Sequence, residues 1–410
     1  MKISLSGAQA HSIRGTVKLP YSKSISNRLL MLRELCKHSF HIINLSDAAD
    51  TVLLAQLLSK YKTTSVLDAA NAGTVLRFMT ALLAVSEGEW ELTGSARMLQ
   101  RPIAPLVDAL KLLGAHIDYN GAIGFPPIKI SGKKIDGGSV EIDAGSSSQF
   151  VSALLLIAPF LPSGMVLNLK GSSASAPYID MTIALLRQFN VTVEVSDSAI
   201  HVQPGCNAPE IISVEPDWSS ASYWYCAAAL SPDAEIQLPG LSLKSTQGDC
   251  ILASAYSHFG VETLENAHGI TLRKSLPVSA GFSFDFSNCP DLFPAIAVSC
   301  AALGVEARLS GLKNLRIKES DRVEAVSEGL EKCGAHIAIT GNHEMMIYND
   351  TIMSTEDVLI RSYDDHRIAM AFAQLVWLSG NISIDDISVC TKSYPGFVKD
   401  METMGAEINA

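Results

Sequence analysis

The stretch RIKESDR, Arg316 to Arg322, puts five charged residues into seven in a chain that is 18% charged. Lys318 and Arg322 flank an acid, Glu319, and such a set can hold an anion and exchange a proton with it. The bland reading is a solvated helix start. It is weakened by the cations, because an exposed helix start favours acids. In YSKSISNR, Tyr21 to Arg28, Lys23 and Arg28 stand among serines, residue types that suit phosphate. NAGTVLR, Asn71 to Arg77, has Gly73 where a ligand could approach the backbone closely. ARMLQRPI offers Arg97 and Arg101 ahead of Pro102, a proline suited to a first helical turn, and GSSSQF offers Ser147, Ser148 and Gln149 as neutral hydrogen-bonding groups. Each of these can equally be a turn, a cap or a solvated loop. SYDDHR, Ser362 to Arg367, has no second His or carboxylate cluster at ligand spacing, so an aspartate orienting an arginine is favoured over a metal site.

Most of these motifs open helices. Polar starts read YSKSIS at 21, NAGTVL at 71, SSSQFV at 146, DWSSAS at 217, NCPDLF at 288 and DDHRIA at 364. The helices behind them, such as FVSALLLIA and WYCAAAL, are apolar all round and belong at a domain centre. Six helix N-termini brought together would present unpaired N–H groups and partial positive charge to an anion. The alternative, that Asn71 and Asp217 are simple N-caps, carries equal weight for those two residues.

A second pattern organises the whole chain: an amphipathic helix, a cap, then a strand. LVDALKLLGAHI, GLEKCGAHI and FVKDMETMGAEI share it, and MTIALLRQFNVTV and ILASAYSHFGVET repeat it. The caps fall at Gly114, Asn190, Gly260, Gly334 and Gly405, residue types that tolerate a left-handed backbone. TVLLAQLLSKYKTTSV is a weaker first copy without the glycine. Six units of about 70 residues result, three in 20–215 and three in 216–410. In the unit containing RIKESDR, Val323, Val326, Leu330 and Cys333 mark one helical face and Ser320 is the expected N-cap.

The 410-residue length suits two domains. A formal charge of −11 disfavours nucleic acid and anionic membranes as partners, so any bound anion must meet a local basic cluster. Eight scattered cysteines, none within ten residues of another, exclude zinc-knuckle and CxxC spacing and fit reduced thiols. The N-terminal stretch lacks the pattern of a signal or transit peptide, and a cytoplasmic location is expected. Phe150 to Leu169 is apolar, but Pro159, Pro162 and Gly164 break it, predicting a buried helix and turn rather than a membrane span.

Taken together and in order, SKSxSNR, NAGT, RPI, SSQF, PYID, PD, RxKESDR, DHR and CTKSYP resemble the 3-phosphoshikimate 1-carboxyvinyltransferase family, the 5-enolpyruvylshikimate-3-phosphate (EPSP) synthases. The resemblance runs from Lys18 to Pro395. It implies an α/β fold of two similar domains, each of three βαβαββ units, facing each other across a cleft. Residues 1–19 would join 216–410, and 20–215 would form the second domain. The implied reaction transfers the enolpyruvyl group of phosphoenolpyruvate to the 5-hydroxyl of 3-phosphoshikimate and releases phosphate. It uses no metal or cofactor. A monomer is expected, as is inhibition by glyphosate.

Matched residue by residue, the resemblance implies that Lys23, Ser24, Arg28, Ser147, Ser148, Gln149, Ser175, Asp291, Asn314 and Lys318 hold phosphoshikimate. It gives phosphoenolpyruvate to Lys23, Gly73, Arg101, Gln149, Arg322, Arg367 and Lys392. Asp291 would take the hydroxyl proton, Glu319 would protonate the methylene carbon, and Lys23 would act as a second acid. Two departures stand out. Tyr21 replaces a small residue, usually Gly, where a positive φ would be costly, and Ala176 stands where many relatives carry a basic residue.

Two other readings are weighed. A UDP-N-acetylglucosamine enolpyruvyl transferase would share the fold, but that family usually has a reactive cysteine in the loop matching 93–102, where this chain has none. A non-catalytic or RNA-end-binding repeat protein is opposed by the negative charge and the lack of an aromatic-basic strip.

Overall fold

A computed structural model describes residues 2–5, 12–36, 39–143, 145, 147–171, 175–349, 352, 355 and 358–409. The chain divides into two compact units, Met1–Pro20 with Glu215–Ala410, and Tyr21–Val214. Each has its own apolar core.

One sheet shows the recurring plan. Val66–Asp68 pairs in parallel with Gly88–Thr93, which pairs antiparallel with Ile128–Gly132, and His116–Tyr119 closes the edge. The helix Gly73–Val85 links the parallel strands, and Ala104–Leu112 leads to the hairpin. Along Ile128–Gly132, Ile128 and Ile130 are buried while Lys129 and Ser131 are exposed, the alternation of a sheet with one covered face. Gly138–Asp143, Met165–Lys170, Ala199–Val202 and Val193–Val195 repeat the order, as do Gly281–Asp285, Glu306–Ser310, Glu344–Ile347 and Ile337–Thr340.

Two further sheets are completed by strands distant in sequence. Ile13–Thr16 pairs in parallel with Ala234–Pro239, ahead of Gly269–Val278 and Phe259–Asn266. Lys2–Leu5 lies between Asn381–Ile384 and Ala406–Asn409, taking the place of a fourth strand. Among the described residues the first copy of the plan has only a parallel pair, His41–Ile43 with Ile211–Ser213. Its second helix, Ala49–Lys60, runs through a turn directly into Val66–Asp68. This is the copy whose sequence lacks the capping glycine.

The helices expected at the centre of each unit are there. Phe150 to Ile157 and Trp218 are buried, and in Trp218–Leu230 every residue except Ser219 is buried. No described helix is long and apolar enough to cross a membrane, and the apolar run from Phe150 breaks at Ile157 before the strand Met165–Lys170.

Several local expectations are corrected. Gly114, Asn190, Gly334 and Gly405 have positive φ after their helices, but Gly260, at φ 80°, sits inside the strand Phe259–Asn266. The register slips there between Phe259 and Val261, so the glycine serves a β-bulge. Asp321, rather than Ser320, caps the helix Arg322–Lys332 by accepting from Glu324 N–H, and the Ser320 hydroxyl turns to Asp365 instead. Ala72 precedes the helix Gly73–Val85 with no side-chain cap, so Asn71 is not its N-cap, whereas Asp217 caps Trp218–Leu230. Pro105, not Pro102, occupies the first turn of Ala104–Leu112. Tyr21 avoids the left-handed region, which removes the strain anticipated for a tyrosine there.

Candidate active site

In the unit spanning residues 215–410, two central helices and one amphipathic helix carry their reactive groups at the N-terminal end. Asp291 lies in the turn Pro290–Leu292 that enters Phe293–Ala302, Arg322 begins Arg322–Lys332, and Asp365 caps His366–Ala373. The Arg322 side chain is 2% exposed and meets three carboxylates. Its Nη1 donates to Asp291 at 2.8 Å, its Nη2 to Glu319 at 3.0 Å and its Nε to Asp365 at 2.8 Å.

The second Asp291 oxygen accepts from Arg367 Nη2 at 2.7 Å, and the second Glu319 oxygen lies 3.5 Å from Lys392 Nζ. Within SYDDHR, Asp365 orients Arg322, 43 residues away, and accepts the backbone N–H of Arg367. Asn314 lies in the short turn Lys313–Ile317 and Lys318 ends it, half-buried.

Burial is the largest influence on the Asp291 carboxyl and opposes ionisation, but Arg367, Lys318 and Arg322 together outweigh it and hold the group far below the usual carboxylate range. For Arg322, burial likewise opposes the charge, and Asp365, Glu319 and Asp291 reverse that and push the guanidinium above its ordinary value. Arg322, Arg367, Lys318 and Lys392 against Asp291, Glu319 and Asp365 leave 4 − 3 = +1, an excess of cation inside an acidic protein.

Asp249 escaped sequence reasoning. It is buried, accepts a hydrogen bond from the Ser219 hydroxyl, and belongs to a loop tied to the start of Trp218–Leu230 by Gln247. Burial first, then the charge of Asp291, push its carboxyl up to about 7.

In the unit Tyr21–Val214 the same helix ends carry a different chemistry. Lys23 opens the helix Lys23–Leu35 and its Nζ pairs with Asp50 at 2.9 Å; Ser24 is half-buried beside it. Arg28 is 3% exposed and donates to Thr182 Oγ1 (2.7 Å), Ser24 O (2.8 Å), Ser152 Oγ (3.1 Å) and Tyr178 O (3.0 Å). Among the described residues no carboxylate is hydrogen-bonded to it, and burial pulls its guanidinium down to about 10, with Tyr178 opposing.

Gly73 shows why its side chain is absent. An added Cβ would lie 2.7 Å from Arg77 Nη1 and 2.8 Å from Arg101 Nη2, so both guanidinium groups rest on bare backbone. Arg77 also donates to Gly73 O and Pro102 O and lies over the Phe150 ring. Ser147 caps Ser148–Ile157, Ser148 is buried, and Gln149 Nε2 donates to Thr74 Oγ1 at 3.2 Å. Ser175, with φ 59°, is the N-cap of Ala176–Gln188. Arg28 lies 5.7 Å from the Phe78 ring and 3.1 Å from Ser152, and Arg77 is 5.6 Å from the Phe150 ring. These contacts pack the helices Lys23–Leu35, Gly73–Val85 and Ser148–Ile157 against one another. Ser146 of the GSSSQF stretch lies outside the described residues.

Sequence reasoning left Asp50 and Asp249 out of the site, anticipated an aspartate of SYDDHR only as a group orienting an arginine, and gave Arg77 no role. Only Asp50 and Asp365 stand at helix starts that could have flagged them, and the partners lie 27, 30 and 43 residues away for the three aspartates and 25 for Arg77.

The chain was compared with known proteins. The family model for EPSP synthase (3-phosphoshikimate 1-carboxyvinyltransferase) matches residues 56–401. The 3-phosphoshikimate 1-carboxyvinyltransferase of Bacteroides fragilis strain YCH46 is 41% identical over 395 residues, covering 96% of each chain. That of Shewanella loihica is 35% identical over 417 residues, covering 94% of this chain and 95% of its own. Among solved structures, the EPSP synthase of Acinetobacter baumannii superposes with a TM-score of 0.79 over the whole of both chains at 23% identity. The enolpyruvyl transferase NikO of Streptomyces tendae gives 0.77 at 14% identity, covering 100% of this chain and 98% of its own, so both structures speak to the fold. The relatives and the family model, matched across most of the chain, establish that this protein belongs to the EPSP synthase (3-phosphoshikimate 1-carboxyvinyltransferase) family.

Proposed function

We propose that the chain transfers the enolpyruvyl group of phosphoenolpyruvate to the 5-hydroxyl of 3-phosphoshikimate, with Asp291, Glu319 and Lys23 moving the protons. The carrying observation is the Arg322 network, in which two carboxylates, Asp291 and Glu319, are each shared between two cations. Groups so held keep their orientation while anions exchange around them.

The 5-hydroxyl oxygen bonds to C2 of phosphoenolpyruvate as its proton passes to Asp291, and C3 gains a proton from Glu319, which takes one up from solvent when the two anionic substrates bind and engage Arg322 and Lys392. The tetrahedral adduct then loses phosphate from C2 while C3 returns a proton to Glu319, restoring the double bond. Lys23 donates to the departing phosphate. Asp291 in its resting pairing is a weak base. Phosphoenolpyruvate at Arg322, Arg367 and Lys392 would draw those cations toward its own charges and make Asp291 more basic.

Arg101, Gly73 and Gln149 are further groups for phosphoenolpyruvate, since two guanidinium groups over bare backbone suit a bidentate anion. Ser24, Arg28, Ser147, Ser148 and Ser175, with Asn314 and Lys318, take phosphoshikimate. Arg28 spends four of its five N–H groups internally, which leaves one donor and its charge for the ligand. Glyphosate, an anion of similar size, competes for the Gly73 and Arg101 position.

Phosphate release from phosphoenolpyruvate tests the reading. It is expected only when 3-phosphoshikimate is present, and release driven by UDP-N-acetylglucosamine instead would overturn it.

A further inference from the structure

Away from every residue assigned above, two cysteine sulfurs face each other. Cys36 Sγ and Cys206 Sγ are 3.4 Å apart across 170 residues of chain, and both residues are only half-buried. Of the other six cysteines, five are buried and Cys250 is half-buried, and among the described residues no other pair of cysteine sulfurs is in contact. A disulfide requires about 2.05 Å, so closure by roughly 1.4 Å joins the pair.

Each sulfur is presented by anchored backbone. Cys36 ends the helix Lys23–Leu35 and its N–H donates to Leu32 O at 2.8 Å. On the other side, Gly205 N–H donates to Pro159 O at 2.8 Å and Asn207 N–H to Phe189 O at 2.9 Å, fixing the chain before and after Cys206. Asn190 Nδ2 adds a bond to Asn207 O at 3.1 Å. Such a pair has little conformational freedom left to lose on bonding.

We propose that Cys36 and Cys206 form a redox modification site, a dithiol that low-molecular-weight disulfides convert to an intramolecular disulfide stapling the helix that carries Lys23 to the 203–210 segment. Either sulfur can donate to the other across the 3.4 Å contact, and the hydrogen bond favours the thiolate of whichever accepts; we take Cys206 as that acceptor and first nucleophile, with Cys36 kept protonated by the same bond and by burial. The Cys206 thiolate attacks one sulfur of a glutathione-type disulfide RSSR and expels one RS⁻, which takes up a proton. Cys36 then gives up its proton and attacks the Cys206 sulfur of the mixed disulfide, expelling the second RS⁻. The balance is RSSR plus two protein thiols to one protein disulfide plus two RSH.

The staple closes a long loop of the unfolded chain, so the oxidised protein is the more stable one. The test uses the full chain, treated natively with oxidised glutathione, then denatured and alkylated. The count of alkylated thiols is expected to fall by two from the eight present, with one digest fragment linking Cys36 to Cys206. Dithiothreitol restores all eight. In Cys36→Ser the resolving step is gone, and a stable glutathione adduct on Cys206 replaces the internal disulfide. The oxidised wild type should also unfold at a higher urea concentration than the reduced form. Eight alkylated thiols after oxidation, a persistent wild-type adduct, a link between other cysteines, or identical urea midpoints would each overturn the proposal.

Discussion

The two units of this chain hold their buried cations in opposite ways. Arg322 is enclosed by Asp291, Glu319 and Asp365, and the resulting mutual charge raises its proton affinity. Arg28, just as buried, is enclosed by hydroxyls and carbonyls, and its proton affinity falls. Arginines held by neutral acceptors retain their full charge for an incoming anion. Arginines held by carboxylates can also position acids and bases. In the proposed reaction Arg28 only holds an anion, whereas Arg322 both meets phosphoenolpyruvate and orients Asp291 and Glu319, and the Lys23–Asp50 pair places one acid in Tyr21–Val214.

The largest effect should come from removing a cation from each kind of setting. Arg322→Met leaves three carboxylates without their shared partner and should cost about 3–5 kcal/mol of stability. Arg28→Met strands only neutral acceptors and should cost about 1–3 kcal/mol. Urea unfolding of both variants measures the contrast, and equal losses would break it.

Asp249 supplies the next effect. Its folded value of about 7 lies above the unfolded value near 4, so its proton stabilises the fold fully below about pH 4, and that contribution is lost as pH rises through 7. Its share is roughly 2–4 kcal/mol between pH 4 and 8. Asp249→Asn should flatten that slope in urea midpoints measured across the range. Asp291 runs the other way: its folded value is depressed, so its stabilisation is present above about pH 4 and is lost only in stronger acid.

Smallest is Gly73→Ala. The new methyl must displace the Arg77 and Arg101 guanidinium groups, side-chain ends that can yield. The KM for phosphoenolpyruvate should rise about tenfold, roughly 1.4 kcal/mol, with kcat changed less.

Much of this was legible in the sequence because local rules wrote it. Four of five predicted caps need a left-handed backbone at a glycine or asparagine, and each follows its helix. Gly260 misled because a β-bulge makes the same demand on φ as a helix cap. Ser320 and Asp321 are both good capping residues, and Ser320 was drawn off by Asp365, a partner visible only in three dimensions. The same holds for the site. Residue types and order in KESDR, DHR and SKSxSNR marked the cations, but which acid each would meet is decided by strand order and helix packing. Asp249 gave no signal at all, since an aspartate in a TQGDC loop looks solvated until burial is known.

The central claim, that the carboxylates of the Arg322 network move protons rather than hold substrates, is tested most directly by Glu319→Gln, which keeps the shape and loses the titratable group. Phosphoenolpyruvate and 3-phosphoshikimate should still bind within a few-fold of the parent affinity by calorimetry, while turnover falls by about 10²–10⁴. Turnover at the parent rate would contradict the claim.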